Sequence, residues 1–293
     1  MEVKAPGPGP GSEYSLGRYR LVERLGEGAS STVWRALDEQ SGREVTLKLL
    51  HEHLAQDGAA ITRLRREAEA AGSASHPGLV PLLAAHLDGP RQALAFEYVP
   101  GESLAARLAR EGVLEPATAC TILGQVAEAL AHAHRHGLVH RDVKPSNVLL
   151  GADGRVRMLD FGVSGDVGRP TDEAGTAVGT PAYMAPEQLA GQPPHPASDV
   201  FAVGVVLYLT LSGRLPFPAD DPHALARHQL RPPSAIAGAA AAASVPALVA
   251  LSHDMAERPT MDALADWLRA LADPERNPTT VPPGLCPARR RRA

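Results

Sequence analysis

Cysteine is nearly absent from this chain: Cys120 and Cys286 are its only two. Two cysteines make no disulfide framework of the kind small secreted domains rely on, and neither sits in a CxxC or Cys/His spacing that would read as a zinc site. Cys120 falls in an apolar stretch and reads as a small core residue, Cys286 in a proline-rich tail; a reducing cytoplasm fits both. Aromatic residues are only 4% of the sequence, so a core must come from Ala, Leu and Val, and a hydrophobic content of 44% is enough for one. There is no excess of positive charge either. The formal net charge of −4 supplies no general field for nucleic acid. Long hydrophobic runs are missing too. The longest, Val200 to Leu211, falls far short of the roughly 20 residues of a membrane span and predicts a buried helix. Ala5 to Gly11 alternates Pro and Gly without an apolar stretch, so no secretory signal opens the chain.

What is present changes texture twice along the 293 residues. Residues 1–14 read as a disordered leader. From Tyr19 come short extended runs (Tyr19–Val22, Thr32–Ala36, Glu44–Leu50), separated by Gly26 and Gly28 and then by Ser41-Gly42, which predicts an antiparallel meander. A helix follows over about Gly58 to Ser73, then two strands near Leu79–His86 and Ala93–Tyr98. After Pro100-Gly101 the apolar residues take helical spacing, over Ser103–Arg110 and Glu115–His136. Ala235 to Ser244 is nearly all Ala and Gly, which leaves a short helix and a surface loop equally open, and the boundaries from Gly238 to Met255 read as irregular. From Asp273 the chain is Pro- and Thr-rich and ends in Arg289–Arg292, which reads as a solvated linker, with contact to anionic lipid as the sharper alternative.

Three segments carry chemistry. Gly26-Glu27-Gly28-Ala29-Ser30-Ser31-Thr32-Val33 lies between two strand-like runs, where glycines let backbone N–H groups approach phosphates. A strand follows rather than a helix, and no Gly-Lys-Ser/Thr ends it, so it is neither a dinucleotide fingerprint nor a Walker A loop. Lys48 sits inside the apolar strand Val45–Leu50 and needs an anionic partner or an edge to snorkel to. Glu67 on the next helix is the candidate partner, although Arg65, Arg66 and Glu69 beside it equally suit a solvated face. The most specific block is His140-Arg141-Asp142-Val143-Lys144-Pro145-Ser146-Asn147, followed by Asp160-Phe161-Gly162. Asp142, Asn147 and Asp160 offer hard oxygen ligands and a base, and Lys144 adds a cation, as phosphoryl transfer with Mg²⁺ requires. His132, His134, His136 and His140 invite a metal reading, but no third ligand is suitably placed, and the segment reads as a helix end leading into this block.

In that order and spacing the motifs, over Tyr19 to Leu271, resemble the eukaryotic-like (Hanks-type) serine/threonine protein kinases, most of all their bacterial branch. The resemblance implies a bilobal α+β protein-kinase-like fold: a small antiparallel β-sheet lobe at 15–98, a larger mainly helical lobe at 99–272, a hinge at 97–101, an activation segment at 160–187 and a Pro-rich basic tail at 273–293. It implies that ATP is held by Leu25, Gly26, Glu27, Gly28, Ala29, Ser30, Ser31 and Val33, by Lys48 paired with Glu67, and by backbone groups of Glu97 and Val99 beside a Phe96 gatekeeper. Asp142 would orient the substrate hydroxyl and Lys144 steady the γ-phosphate. Asn147 and Asp160 would hold Mg²⁺, with Mn²⁺ as a substitute ion. Glu187 should pair with Arg258, and Asp199 should brace the catalytic loop.

Lys144 together with Gly179–Tyr183 is the serine/threonine pattern, so the substrates implied are protein Ser/Thr hydroxyls. Arg141 beside Asp142 implies control by phosphorylation, at Thr171 or Thr176 rather than Thr180. Homodimerisation for autophosphorylation in trans is a family-level expectation; a cytoplasmic location is what the cysteine usage suggests, with membrane association through residues 289–292 or a following membrane segment left open. Ser31 stands where the family has a third loop glycine and Thr46 where Ala is usual; neither change removes a catalytic group. The competing class is a pseudokinase scaffold or nucleotide sensor, for which a substituted catalytic loop would be the sign, and the loop here is intact.

Overall fold

The structure is a computed structural model that describes residues 15–159, 165–166, 181–193, 195–219 and 221–273. It divides into two compact units, one of residues up to Ala68 with Pro81–Tyr98, the other of Glu69–Val80 with everything from Val99. The division thus differs from a single cut near residue 98, because the end of the first long helix and the loop after it group with the later residues.

The first unit is a six-stranded antiparallel sheet with one helix. Its strands are β1 (Ser15–Leu16), β2 (Tyr19–Glu27), β3 (Ser31–Asp38), β4 (Arg43–Leu50), β5 (Leu82–His86) and β6 (Ala93–Glu97), in the order β1-β2-β3-β4-β6-β5. β2 and β3 are longer than the apolar runs predicted. Backbone pairing continues through Glu23, Arg24 and Glu27, whose exposed side chains break the alternation a sequence reading follows. Register shifts after Leu21 and Arg24 mark bulges in β2. On one side Tyr19, Ala36, Val45, Leu47, Ala93 and Ala95 form a small core. Helix α1 (Gly58–Ser73) has the predicted bounds and places Ala60, Leu64 and Ala68 against Leu50 and Leu94. β5 begins at Leu82 rather than Leu79.

The second unit is mainly helical. Strand β7 (Gly101–Ser103) pairs with β9 (Val148–Gly151), which pairs with β10 (Val156–Met158). Gly101 is required there: a Cβ would lie 2.2 Å from the Leu150 carbonyl oxygen. β8 (Leu138–Val139) pairs with β11 (Gly165–Asp166). Helix α2 (Leu104–Glu111) is capped by Ser103, whose Oγ accepts from the Ala106 N–H. α3 (Pro116–Arg135) starts with Pro at its first position behind the Glu115 cap, and buries Cys120, Leu123, Val126 and Leu130. The short α4 (Pro186–Leu189) precedes α5 (Pro196–Ser212), the predicted buried helix, which is apolar on nearly every face and ends at a left-handed Gly213.

α6 (Pro222–His228), α7 (Ala241–Ala250) and α8 (Met261–Ala272) complete the unit. α7 replaces the irregular segment expected after Gly238. An Ala/Gly tract has no polar face to give it phase, so its helix is set by packing. Gly204 of α5 lets α7 approach so closely that a Cβ there would lie 2.9 Å from Ala250 Cβ.

Candidate active site

In the first unit the loop expected to cover phosphates is mostly strand. Leu25, Gly26 and Glu27 end β2, Gly28, Ala29 and Ser30 form the turn, and Ser31, Thr32 and Val33 begin β3. The Gly28 N–H donates to the Ser31 carbonyl at 2.8 Å and closes the turn. Neither Gly26 nor Gly28 has a positive φ, so the backbone conformation does not demand glycine at either. Their distinction is room: a Cβ on Gly26 would meet nothing within 4 Å.

Lys48 sits in the middle of β4, opposite Val33 on β3 and Leu94 on β6. Its Nζ donates to Glu67 Oε1 at 2.7 Å, with the two side chains 12% and 3% exposed. α1 therefore presents Glu67 on the face that packs on the sheet, while Arg65, Arg66 and Glu69 are exposed. Phe96 lies opposite Thr46 across the ladder and packs on the Leu50, Leu64 and Leu94 cluster. The Glu97 N–H already donates to the Pro81 carbonyl at 3.0 Å, so an adenine contact at this residue would fall to its carbonyl. Val99 is half-buried in the irregular segment after β6.

In the second unit the block after β8 is held by a dense set of hydrogen bonds. Asp199, in the first turn of α5, is 1% exposed. Its Oδ2 accepts from the His140 N–H and its Oδ1 from the Arg141 N–H, both at 2.8 Å. Arg141 has φ +71°, the left-handed region that non-glycine residues avoid. Its carbonyl is held from the other side by Gln188 Nε2 at 3.1 Å. Beside this strained residue, Lys144 Nζ donates to Asp142 Oδ2 at 2.6 Å. Asn147 Nδ2 donates to the Asp142 carbonyl at 2.8 Å and to its Oδ2 at 3.2 Å. His140 Nε2 donates to the Leu159 carbonyl at 3.0 Å. The sequence thus brings Asp142, Lys144 and Asn147 into one cluster with the Asp142 carboxylate at its centre.

His134 is the residue the sequence reading missed. It was grouped with its neighbours as a metal candidate, yet its Nε2 meets Asp199 Oδ2 at 2.8 Å. Burial pushes the Asp199 carboxyl up; the His134 hydrogen bond, the charges of His134 and His140 and the Arg141 N–H outweigh that and hold it below its ordinary value. A histidine six residues before His140, on the buried side of α3, was the available signal. His132 and His136 have other uses: His136 Nδ1 donates to the His132 carbonyl at 2.9 Å, and the His132 ring lies between those of His76 and His136.

A second buried centre joins α4 to the segment before α8. Arg258 Nη1 and Nη2 donate to Glu187 Oε1 and Oε2 at 2.6 and 2.9 Å, and Ser198 Oγ donates to Glu187 Oε1 at 2.7 Å. Burial raises the Glu187 carboxyl, but the Arg258 hydrogen bond and charge prevail and keep it below the ordinary range. Asp160, Phe161, Gly162, Thr171, Thr176, Thr180, Cys286 and Arg289–Arg292 lie outside the described residues. A surface cavity of about 310 Å³, bordered by Arg107, Thr118, Ile122, Gln125, Leu150 and Val156, contains none of these site residues.

Lys48–Glu67 thus lies in one unit and the Asp142 cluster in the other. The chain belongs to the protein kinase domain family, which matches residues 19–271. It is 38% identical over 223 residues to the serine/threonine-protein kinase PknA of Mycobacterium tuberculosis, covering 74% of this chain and 52% of that protein. It is 36% identical over 228 residues to the serine/threonine-protein kinase PknB of Mycolicibacterium smegmatis, covering 74% of this chain and 36% of that protein. PknB of Mycobacterium tuberculosis is also 36% identical, over 229 residues. The chain matches about half or less of the length of these relatives. Among the described residues no helix is long and apolar enough to cross a membrane.

Proposed function

We propose that this chain is an active serine/threonine protein kinase, transferring the γ-phosphate of Mg²⁺-bound ATP to Ser and Thr hydroxyls of proteins. The observation that carries the reading is the Asp142–Lys144–Asn147 cluster, with Asp142 Oδ2 receiving both Lys144 and Asn147. In the transfer the substrate hydroxyl oxygen bonds to the γ-phosphorus, the bond from that phosphorus to the β,γ-bridging oxygen breaks, and ADP leaves. Asp142 orients the hydroxyl and accepts its proton. Lys144 places its charge where the phosphoryl group passes, and Lys48, fixed by Glu67, serves the α- and β-phosphates.

Asn147 suits Mg²⁺ on its donor chemistry: its amide nitrogen is committed to Asp142, which leaves Oδ1 as a hard oxygen ligand. Asp160 would be the second ligand by its place in the sequence. The bound ion supplies neutralisation of the β- and γ-phosphate oxygens. Leu25 to Val33 would cover the phosphates, and the Glu97 carbonyl with Val99 would hold adenine. Autophosphorylation between Asp160 and Glu187, homodimerisation and membrane contact through residues 289–292 belong to the same proposal.

The test is transfer of label from ATP, with Mg²⁺, to the protein itself and to a basic protein acceptor, comparing wild type with Asp142→Asn. Loss of a positioned acid–base group costs about 10²–10⁴-fold, so the variant should fall at least about 100-fold while ATP still stabilises its fold. Label on the wild type should map between Asp160 and Glu187. Equal labelling of both proteins would refute the role of Asp142. No labelling of either, with ATP still bound, would favour a pseudokinase scaffold.

A further inference from the structure

His51 follows β4 directly, three residues after Lys48, and no motif includes it. Its backbone N–H donates to the Ser30 carbonyl at 2.9 Å, which extends the β3–β4 ladder by one bond. Its side chain does something a ladder does not require: Nε2 lies 2.9 Å from the Gly28 carbonyl oxygen. A carbonyl only accepts, so Nε2 carries the proton and donates. The ring is also stacked on His53, with centroids 5.5 Å apart and planes 16° apart, which limits its freedom to swing away. One residue thus holds two carbonyls of the three-residue turn Gly28–Ser30.

A trans peptide points its C=O and its N–H in opposite directions. Fixing the Gly28 carbonyl towards His51 therefore fixes the Ala29 N–H towards the opposite side of that peptide plane. Gly28 has no Cβ to resist rotation of this peptide, and the two backbone bonds at the turn, Gly28 N–H to the Ser31 carbonyl and His51 N–H to the Ser30 carbonyl, do not involve the Gly28–Ala29 peptide group. Without the imidazole the peptide could flip and present its carbonyl where an anion needs a donor.

We propose that His51 is a positioning residue for nucleotide binding: its imidazole clamps the Gly28–Ala29 peptide so that the Ala29 N–H is set in advance to donate to an ATP phosphate. This rests on the reading of Gly26–Val33 as the phosphate cover. His51 touches neither nucleotide nor substrate in this role.

The test compares His51→Leu, which keeps bulk but has no donor, and His51→Gln, whose Nε2 reaches a similar point and can donate. Kd is measured for ATP with Mg²⁺ and for adenosine, along with kcat and the KM for ATP. One lost hydrogen bond corresponds to about a three- to tenfold effect. His51→Leu should weaken ATP and raise its KM by that factor, with adenosine affinity and kcat changed less than about twofold; His51→Gln should recover most of the loss. Unchanged ATP affinity in His51→Leu would overturn the clamp while leaving the kinase reading intact. Equal weakening of ATP and adenosine would also overturn it, because a merely structural residue would act on both. A wild-type chain that bound adenosine and ATP equally well would remove the phosphate cover itself and the clamp with it.

Discussion

Arg258 is the residue whose loss the structure prices most clearly. Its side chain is 0% exposed and that of Glu187 is 4% exposed. Beyond the two bonds to Glu187, Nη1 donates to the Ala197 carbonyl at 2.9 Å and Nε to the Ser252 carbonyl at 2.9 Å, while the guanidinium lies 5.0 Å from the Phe201 ring centroid. Arg258→Met keeps most of the packing volume but leaves the Glu187 carboxylate with the Ser198 hydroxyl and strips the Ala197, Ser252 and His253 carbonyls of this donor. Removing one partner of a buried pair costs about 3–5 kcal/mol, chiefly because the other charge stays buried without compensation. At about 2–4 °C per kcal/mol for a unit of this size, the melting temperature should fall by about 6–20 °C. Glu187→Gln should cost nearly as much alone. The double variant should cost clearly less than the sum, with a coupling of at least about 2 kcal/mol, since no charge is then stranded. Urea unfolding of all four proteins supplies the cycle. A loss below about 1 kcal/mol in Arg258→Met, or additive single effects, would refute the reasoning.

His134→Phe keeps the ring in place and removes the donor to Asp199, so the His140–Arg141 peptide loses part of its anchor. We expect kcat to fall about fivefold or more with KM for ATP little changed, read from steady-state transfer; a change confined to KM would contradict the assignment. Acid should act through Glu187 and Asp199. Both carboxyls are held below their ordinary values in the folded state, so their contributions are complete above the unfolded values of about 4 and are lost as pH falls through the folded ones. The stability gap between wild type and Glu187→Gln, followed by urea unfolding, should therefore be constant from about pH 7 to 5 and close below about pH 4; a gap that widened with acid would reverse the sign.

The parts of the site that were legible in the sequence are those where the chemistry is carried by adjacent residues. Asp142, Lys144 and Asn147 fall within one short block, and the fold needs only a tight loop to bring them together. Lys48 was legible for a different reason, since a cation in the middle of an apolar strand demands a partner. Contacts between distant residues were less legible. The Glu187–Arg258 and Asp199 roles came from family resemblance, not from spacing, and His134 was missed because its partner lies 65 residues away. The Gly28–His51 bond has no sequence signature at all, because any residue with a donor after β4 would satisfy the same pattern. In the fold, α1 and α5 were recovered with little error because one is rich in the strong helix formers Arg, Glu and Ala and the other is a long apolar run. α7 was not, because Ala and Gly carry no contrast between faces.

Arg141 shows why the loop His140–Asn147 cannot be understood from its own residues. A left-handed backbone at a non-glycine residue such as Arg141 costs about 1–2 kcal/mol. The Arg141 N–H on Asp199 and its carbonyl on Gln188 offset that cost, each contributing about 1 kcal/mol. Asp199 belongs to α5 and Gln188 to α4, so the turn that presents Asp142 is set by two helices later in the chain. Glu187, next to Gln188, is in turn fixed by Arg258. Damage to the Arg258 pair should therefore reach Asp142 through α4, one residue at a time, although Arg258 takes no part in the chemistry.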